Sequence, residues 1–273
     1  MKHKRVIPGF GYTLGSTLLF MSLATLLPLG ALVLKAAGLS WAEFWSYVSD
    51  PRAVATYRIT VTSALAATVI NVVLGLLVAW ILVRYEFPGR RFLDAAVDLP
   101  FALPTAVAGL TLATLLVPTG ALGQFFAPFG IKVSYALPGM IIAMAFTSFP
   151  FVVRTVQPVL TDLDPFLEEA SVTLGAGPVT TFWKVLFPEL LPALLAGTTL
   201  SLVRALGEFG AVVFIAGNLP FRTEISSLLI YIRVGENDYR GAAALATVIL
   251  AGALVVLVTM NVIQGRLYRR LHG

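Results

Sequence analysis

Residues 59–83 read ITVTSALAATVINVVLGLLVAWILV, a stretch of 25 positions without one charged side chain. As a helix this run would extend roughly 37 Å at 1.5 Å per residue, more than the ~30 Å hydrocarbon core of a bilayer. Hydrocarbon offers no partner to an unpaired backbone amide, so a segment of this kind crosses as a helix. Five further stretches have the same character: Tyr12 to Leu34, Ala95 to Val117 with Asp98 near its start, Leu137 to Leu160 with Arg154, Leu190 to Ala216 with Arg204 and Glu208, and Ala242 to Gln264. The expectation is an all-α integral membrane protein of six transmembrane helices.

Composition agrees. Of 273 residues, 58% are hydrophobic and 12% charged, about half the ~25% of a soluble protein, and the mean hydropathy is +0.89. That excludes a cytosolic enzyme. The chain has no Cys, and its two His are His3 and His272. Thiol nucleophiles, thiolate metal sites and imidazole cages are therefore not expected, and neither catalytic nor metal-binding residues are assigned. The net charge of +5 would suggest nucleic acid in a soluble protein; here the placement of basic residues matters more, and no nucleic acid is expected.

The cluster Lys2, Lys4 and Arg5 precedes an apolar run of about 23 residues, longer than the roughly 7 to 15 of a signal-peptide core, so a retained first helix is expected over a cleaved signal. With six spans both termini share one side. Placing them inside puts ten basic residues in the cytoplasm, Arg84, Arg90 and Arg91 among them, against seven outside, and both termini are expected to be cytoplasmic. Pro100, Pro104 and Gly109 in the third stretch and Pro150 in the fourth read either as helix kinks or as irregular segments lining a pathway.

The polar loop 161–189 is the most informative segment. Asp164-Pro165 reads as an N-cap followed by Pro at the first helical position. Glu168 and Glu169 suit the positive end of the helix dipole, Leu167, Ala170 and Leu174 form an apolar stripe, and Gly175 supplies the stop. A second short amphipathic helix is expected from Gly177-Pro178, with Phe182, Val185 and Leu186 on one face. The acidic residues Asp162, Asp164, Glu168 and Glu169 disfavour an anionic lipid surface, which points to a protein partner.

The spacing Glu169-Ala170-Ser171, three residues, Gly175, nine residues, Val185-Leu186-Phe187-Pro188 resembles the EAA motif of binding-protein-dependent ABC importer permeases, E-A-A, three residues, G, nine residues, I-x-L-P. Ser171, Val185 and Phe187 depart from it by small or volume-tolerant changes. The runs Arg84 to Arg90, Asp98 to Leu110, Pro150 to Arg154 and Leu206 to Ala211 resemble the sulfate/thiosulfate branch of that family, with molybdate permeases as near relatives. Val6-Ile7-Pro8-Gly9-Phe10 is similar to its T-type subunit.

The resemblance implies a type I importer permease fold (MetI-like): 1–55 as N-terminus, first helix and outer loop, 56–265 as permease core with the coupling loop 161–189, and 266–273 as a cytoplasmic tail. It implies that Glu168, Glu169, Ala170, Ser171, Leu174 and Gly175 dock on a cytoplasmic ABC ATPase dimer. It further implies a second homologous permease subunit of the W type, and a periplasmic or lipid-anchored sulfate/thiosulfate-binding protein. ATP and Mg belong to the ATPase, and this chain binds no cofactor; no G-x-x-x-x-G-K-[ST] pattern occurs in it.

A charge at the centre of a membrane helix costs roughly 2.5 to 3.5 kcal/mol, so Arg154, Arg204 and Glu208 need an explanation. Arg154 lies about 9 Å from the end of its stretch and can snorkel to the headgroups. Arg204 and Glu208 are one turn apart and can pair. The functional alternative makes all three part of a translocation pathway for a divalent oxyanion. An ion-coupled secondary transporter is the rival class; it would show carboxylates deep in several helices, whereas Glu208 alone lies well inside a stretch here.

Overall fold

The computed structural model describes residues 9–272, with side chains as far as 266. Lys2, Lys4, Arg5 and the Val6-Ile7-Pro8 part of the N-terminal motif lie outside the described residues, as do the side chains of Arg269 and Arg270. The helices in chain order are α1 Phe10–Ala37, α2 Trp41–Val48, α3 Pro51–Arg84, α4 Arg90–Val97, α5 Leu99–Ala102, α6 Thr105–Leu116, α7 Leu137–Asp162, α8 Pro165–Thr173, α9 Pro178–Leu206, α10 Gly210–Ile215, α11 Ser226–Gly235 and α12 Tyr239–His272.

The starts of these helices are written locally. Ser40 and Glu43 form a capping box at α2, with the Ser40 hydroxyl accepting from the Glu43 amide (3.2 Å) and the Glu43 carboxylate from the Ser40 amide (2.9 Å). The Ser40 amide and, at 3.0 Å, the Ser40 hydroxyl both donate to the Glu43 carboxylate and hold it below its usual range. Asp50 caps α3 by accepting from the amides of Arg52 (2.8 Å) and Ala53 (3.3 Å), with Pro51 at the first helical position.

Five helices among the described residues, α1, α3, α7, α9 and α12, are long and apolar enough to cross a membrane, not six. The expected third span, Ala95 to Val117, is broken into α4, α5 and α6. Pro104 holds Leu103 extended (φ −86°, ψ 134°), and the helix cannot run through the missing amide. At 12 residues α6 covers roughly 18 Å, short of the hydrocarbon thickness. The expected fifth span, Leu190 to Ala216, also breaks. It ends at Gly207, and the Glu208 carboxylate accepts from the Ala211 amide (2.9 Å) as α10 begins.

The second short helix expected after Gly177 is not separate either: it runs into α9 through a widened turn at Phe182–Leu186, where the Phe187 amide bonds to the Phe182 carbonyl five residues back. The wide turn accommodates Pro188, which has no amide to give.

Helices α3, α7 and α9 form the hub. Gly75 of α3 and Gly197 of α9 both press on Val152 of α7: a Cβ at Gly75 would lie 2.9 Å from the Val152 side chain, and one at Gly197 would lie 2.9 Å from the Val152 Cα and collide with Thr155. Small residues let helix backbones approach where lipid supplies no hydrophobic drive between them. Higher in the same contact, the buried Asn71 amide of α3 reaches the Ala145 carbonyl (3.0 Å) and Ser148 (2.8 Å) on α7 and Ser201 (3.1 Å) on α9.

At the end of the bundle opposite α8, buried Thr60 of α3 meets Ser226 (3.1 Å), and Arg52 grips the fully buried Glu224 through two bonds (2.6 and 2.8 Å). Helix α1 packs on α12, with Ala36 its one buried residue.

Replacing Gly197 by Leu must displace Val152 and Thr155. We expect a destabilisation of about 3 kcal/mol, read as a clear fall in thermal unfolding midpoint in detergent or as loss of folded protein. Gly15→Leu on α1, where a side chain enters open space, serves as the control and should leave the midpoint unchanged.

Candidate functional site

Helix α8 stands out from the bundle because its sequence both starts and stops it. The Asp164 carboxylate accepts from the Phe166 amide (2.9 Å) and Pro165 opens the first turn. At the other end Gly175 takes φ +82°, and the amides of Gly175 and Ala176 return to the carbonyls of Val172 (2.9 Å) and Ser171 (3.0 Å). A side chain at 175 would be strained by its backbone rather than by neighbours, since the space around it is open.

Two contacts fix α8 to the bundle. Glu168 forms an ion pair with Arg84 at the last turn of α3, and the Arg84 guanidinium also lies over the Trp80 ring (5.4 Å). The hydroxyl of Ser171, buried, donates to the Glu168 carbonyl (2.8 Å) and meets Thr181 of α9 (2.9 Å). Ser171, the departure from the motif's third residue, is therefore the side chain that ties α8 to the start of the next helix. Ala170 is half-buried.

The opposite face is left open. Phe166, Val172, Leu174 and Val179 are exposed, Leu174 at 87%, and Glu169 has no ion pair or side-chain hydrogen bond among the described residues. The two adjacent glutamates thus do different things: Glu168 is spent inside the chain and Glu169 points away from it. An apolar surface carrying one free carboxylate, held rigidly between the ends of α3 and α9, is suited to receiving a partner and passing its displacement into the hub.

The charges singled out within the spans are all paired. Arg154 is held by two carboxylates. Its guanidinium binds both Asp98 oxygens (2.8 and 2.7 Å), an Asp94 oxygen (2.6 Å), the Asp94 carbonyl (2.7 Å) and Gln157 (2.6 Å). These are the residues where α4 gives way to α5, so Arg154 clasps the interrupted helix to α7. With side-chain exposures of 30% for Arg154 and 44% and 50% for its two partners, each pair alone is worth about 1 kcal/mol or less. The two-pronged geometry chiefly fixes direction.

Arg204 and Glu208 meet at 2.5 Å, as their spacing suggests, although Glu208 lies in the break after α9 rather than within a helix. Glu208 is buried, and its backbone carbonyl also accepts from Ser227 (2.9 Å), joining the break to α11. Three features escaped the sequence reading: Asp94 as an Arg154 partner, Arg84 as the anchor of Glu168, and the Arg52–Glu224 pair. For Asp94 a signal existed in the i, i+4 carboxylates Asp94 and Asp98 beside an apolar run. Arg52 and Glu224 are 172 positions apart, and neither position advertises the other.

Among the described residues no group of three His, Cys, Asp or Glu side chains is placed to hold a metal ion.

Comparison with known proteins follows this geometry. The family model described as "Binding-protein-dependent transport system inner membrane component" matches residues 71–273. The chain is 56% identical over 270 residues to the sulfate transport system permease protein CysT of Salmonella typhimurium, covering 99% of this chain and 98% of that one. It is 48% identical over 254 residues to the protein of the same name from Synechocystis, covering 92% and 89%.

Among solved structures it shares the fold of a bacterial ABC transporter that imports the acidic polysaccharide alginate (TM-score 0.76, 17% identity, 97% and 96% covered). It also shares the fold of the MetNI methionine ABC transporter (TM-score 0.57, 21% identity, 80% and 99% covered). A capped, anchored helix presented outside a membrane-spanning hub, with family identity across three quarters of the sequence, leads to one statement: this chain belongs to the family of inner-membrane permease components of binding-protein-dependent ABC importers.

Proposed function

We propose that the chain is the T-type permease subunit of a sulfate/thiosulfate importer, working by alternating access. The observation that carries the substrate assignment is identity of 56% to a sulfate permease over nearly the whole of both chains. The molybdate alternative has no comparable support. In this reading a binding protein delivers the oxyanion to the outer face, a second permease subunit of the W type completes the path, and a cytoplasmic ATPase dimer hydrolyses ATP with its Mg.

The ATPase is proposed to dock on α8, through Glu169, Leu174 and the turn at Gly175. Glu168, Ala170 and Ser171 hold that surface to α3 and α9. Closure of the ATPase dimer would move α8 as a lever, and its two attachments would carry the motion into α3 and α9 together. Both termini are proposed to be cytoplasmic, with the interrupted segment α4–α6 completing a sixth crossing beside the five long helices. By sequence, 1–55 are proposed to comprise the N-terminus, first transmembrane helix and outer loop, 56–265 the permease core and 266–273 the cytoplasmic tail.

For the path itself we propose Arg204, with Glu208 tempering it. Its side chain is 32% exposed while Glu208 is buried, so a partly neutralised cation faces outward, a weak waypoint rather than a trap for a divalent anion. Arg154 has all its donors engaged at the α4–α5 break and is proposed to shape the path without touching the anion.

Two experiments test these roles. Glu168→Arg should cut uptake at least tenfold at matched expression and be largely restored by adding Arg84→Glu, whereas Glu169→Lys should cut uptake and substrate-stimulated ATP hydrolysis similarly with no rescue from position 84. Equal rescue of both, or wild-type activity in Glu169→Lys, would sink the division of labour. Arg204→Ala should lower sulfate uptake several-fold while the complex still assembles; unchanged uptake would remove Arg204 from the path.

A further inference from the structure

Helix α2, between the first two long helices, leaves both of its tryptophans uncovered. Trp41 is 77% exposed and Trp45 56%, and the two rings stack one helical turn apart, with centroids separated by 6.0 Å and planes inclined by 19°. Phe44, Tyr47 and Val48 of the same helix are half-buried.

Two contacts place α2 along the membrane normal. The uncharged run of α1 ends at Lys35, whose ammonium lies over the ring of Tyr239, the first residue of α12 (5.9 Å). The uncharged run of α12 begins directly after Arg240, and Arg240 meets the Glu43 carboxylate (3.5 Å). Helix α2 is therefore level with the residues at which two crossing helices leave the hydrocarbon.

Its open side looks along the membrane. A Cβ at Gly241 would lie 3.0 Å from the Tyr47 ring, so α2 runs beside the first turn of α12 and not over its end. At 100° per residue, Trp41 and Trp45 lie roughly 160° round the helix from Glu43 and Tyr47, the residues that touch α12. The tryptophans thus project sideways from the bundle at headgroup depth.

The chemistry of the side chain selects what receives it. An indole joins an apolar body to one N–H donor, which suits the layer where lipid ester and phosphate oxygens meet the acyl chains, and Trp concentrates in that layer. Water would hydrate two large apolar rings, and hydrocarbon would leave their N–H groups unbonded. Glu43 and Ser46, both exposed, supply the polar side that a helix lying in the interface requires.

We infer that α2 is an interfacial helix whose Trp41 and Trp45 seat in the ester and headgroup layer of the bilayer, their indole N–H groups donating to lipid oxygens. Under the orientation proposed above this is the outer leaflet; the seat itself depends neither on that orientation nor on the transported anion. Helix α2 joins α1 to α3 and lies against α12, so the seat gives the outer ends of three crossing helices one common reference surface.

The test is fluorescence of the assembled transporter in phosphatidylcholine vesicles whose acyl chains carry bromine either near the ester or near the methyl end. Subtracting the Trp41→Phe/Trp45→Phe variant from wild type isolates these two rings from Trp80 and Trp183, and each single variant gives the same subtraction one ring at a time. Bromine near the ester should quench the difference signal about twofold more than bromine near the methyl end. Quenching by aqueous acrylamide with no effect of brominated lipid overturns the proposal, since the rings would then stand in water, open to a soluble partner. Insensitivity to both quenchers also overturns it, because another protein subunit would cover them. Stronger quenching from the methyl end sinks it too, by placing the rings in hydrocarbon. Bromine occupies both leaflets and uptake is not measured, so an error in the orientation or in the substrate leaves the result interpretable.

Discussion

Hydrocarbon gives an interrupted helix nothing to bond to, and two of the interruptions in this bundle are secured by charged side chains. Where α4 passes into α5, Arg154 of α7 supplies five donors to Asp94, Asp98 and Gln157. Where α9 gives way to α10, Glu208 caps the new helix and takes the charge of Arg204. Where α3 ends, Arg84 fastens α8 through Glu168. The irregular segments are thus held at defined angles, and irregular segments are where a membrane protein can change shape without unfolding.

The same rule governs the hub. Asn71 spends its amide on two helices at once, and Gly75 and Gly197 bring those helices to the same Val152. Neither device adds much energy by itself; polar contacts between membrane helices average about 0.6 kcal/mol by double-mutant cycles. Their joint effect is geometric. Three helices that share one residue's surface are packed as a unit, and α8 is attached to two of them.

Much of this was legible in the sequence, and the reason differs by element. The long apolar runs at Ile59 to Val83, without a charge, and Leu137 to Leu160, with Arg154 alone, correspond to α3 and α7, because length and apolarity decide a crossing helix. The caps of α8 were legible because Asp164-Pro165 and Gly175 act within a turn. The third span was not, because a Pro inside an apolar run reads equally as a kink or a break, and packing against α7 decides between them. Residues 190–216 looked continuous because Arg204 and Glu208 have helical spacing; Gly207 and the demand of the Ala211 amide ended the helix between them. Arg154 and its acid partners are separated by 56 and 60 positions, so a single sequence carries no sign of their meeting.

The widened turn at Phe182–Leu186 sets the bearing of α8. It holds one residue more than an α-helical turn, and one residue is about 100° of rotation about the helix axis. Everything ahead of that turn, Thr181 and the Ser171 it grips included, faces where it does because of this single extra residue. Had the turn been regular, the same residues of α8, in the same order and with the same caps, would look out from a different side of the bundle. The direction in which α8 faces is written as a phase offset, well away from α8 itself.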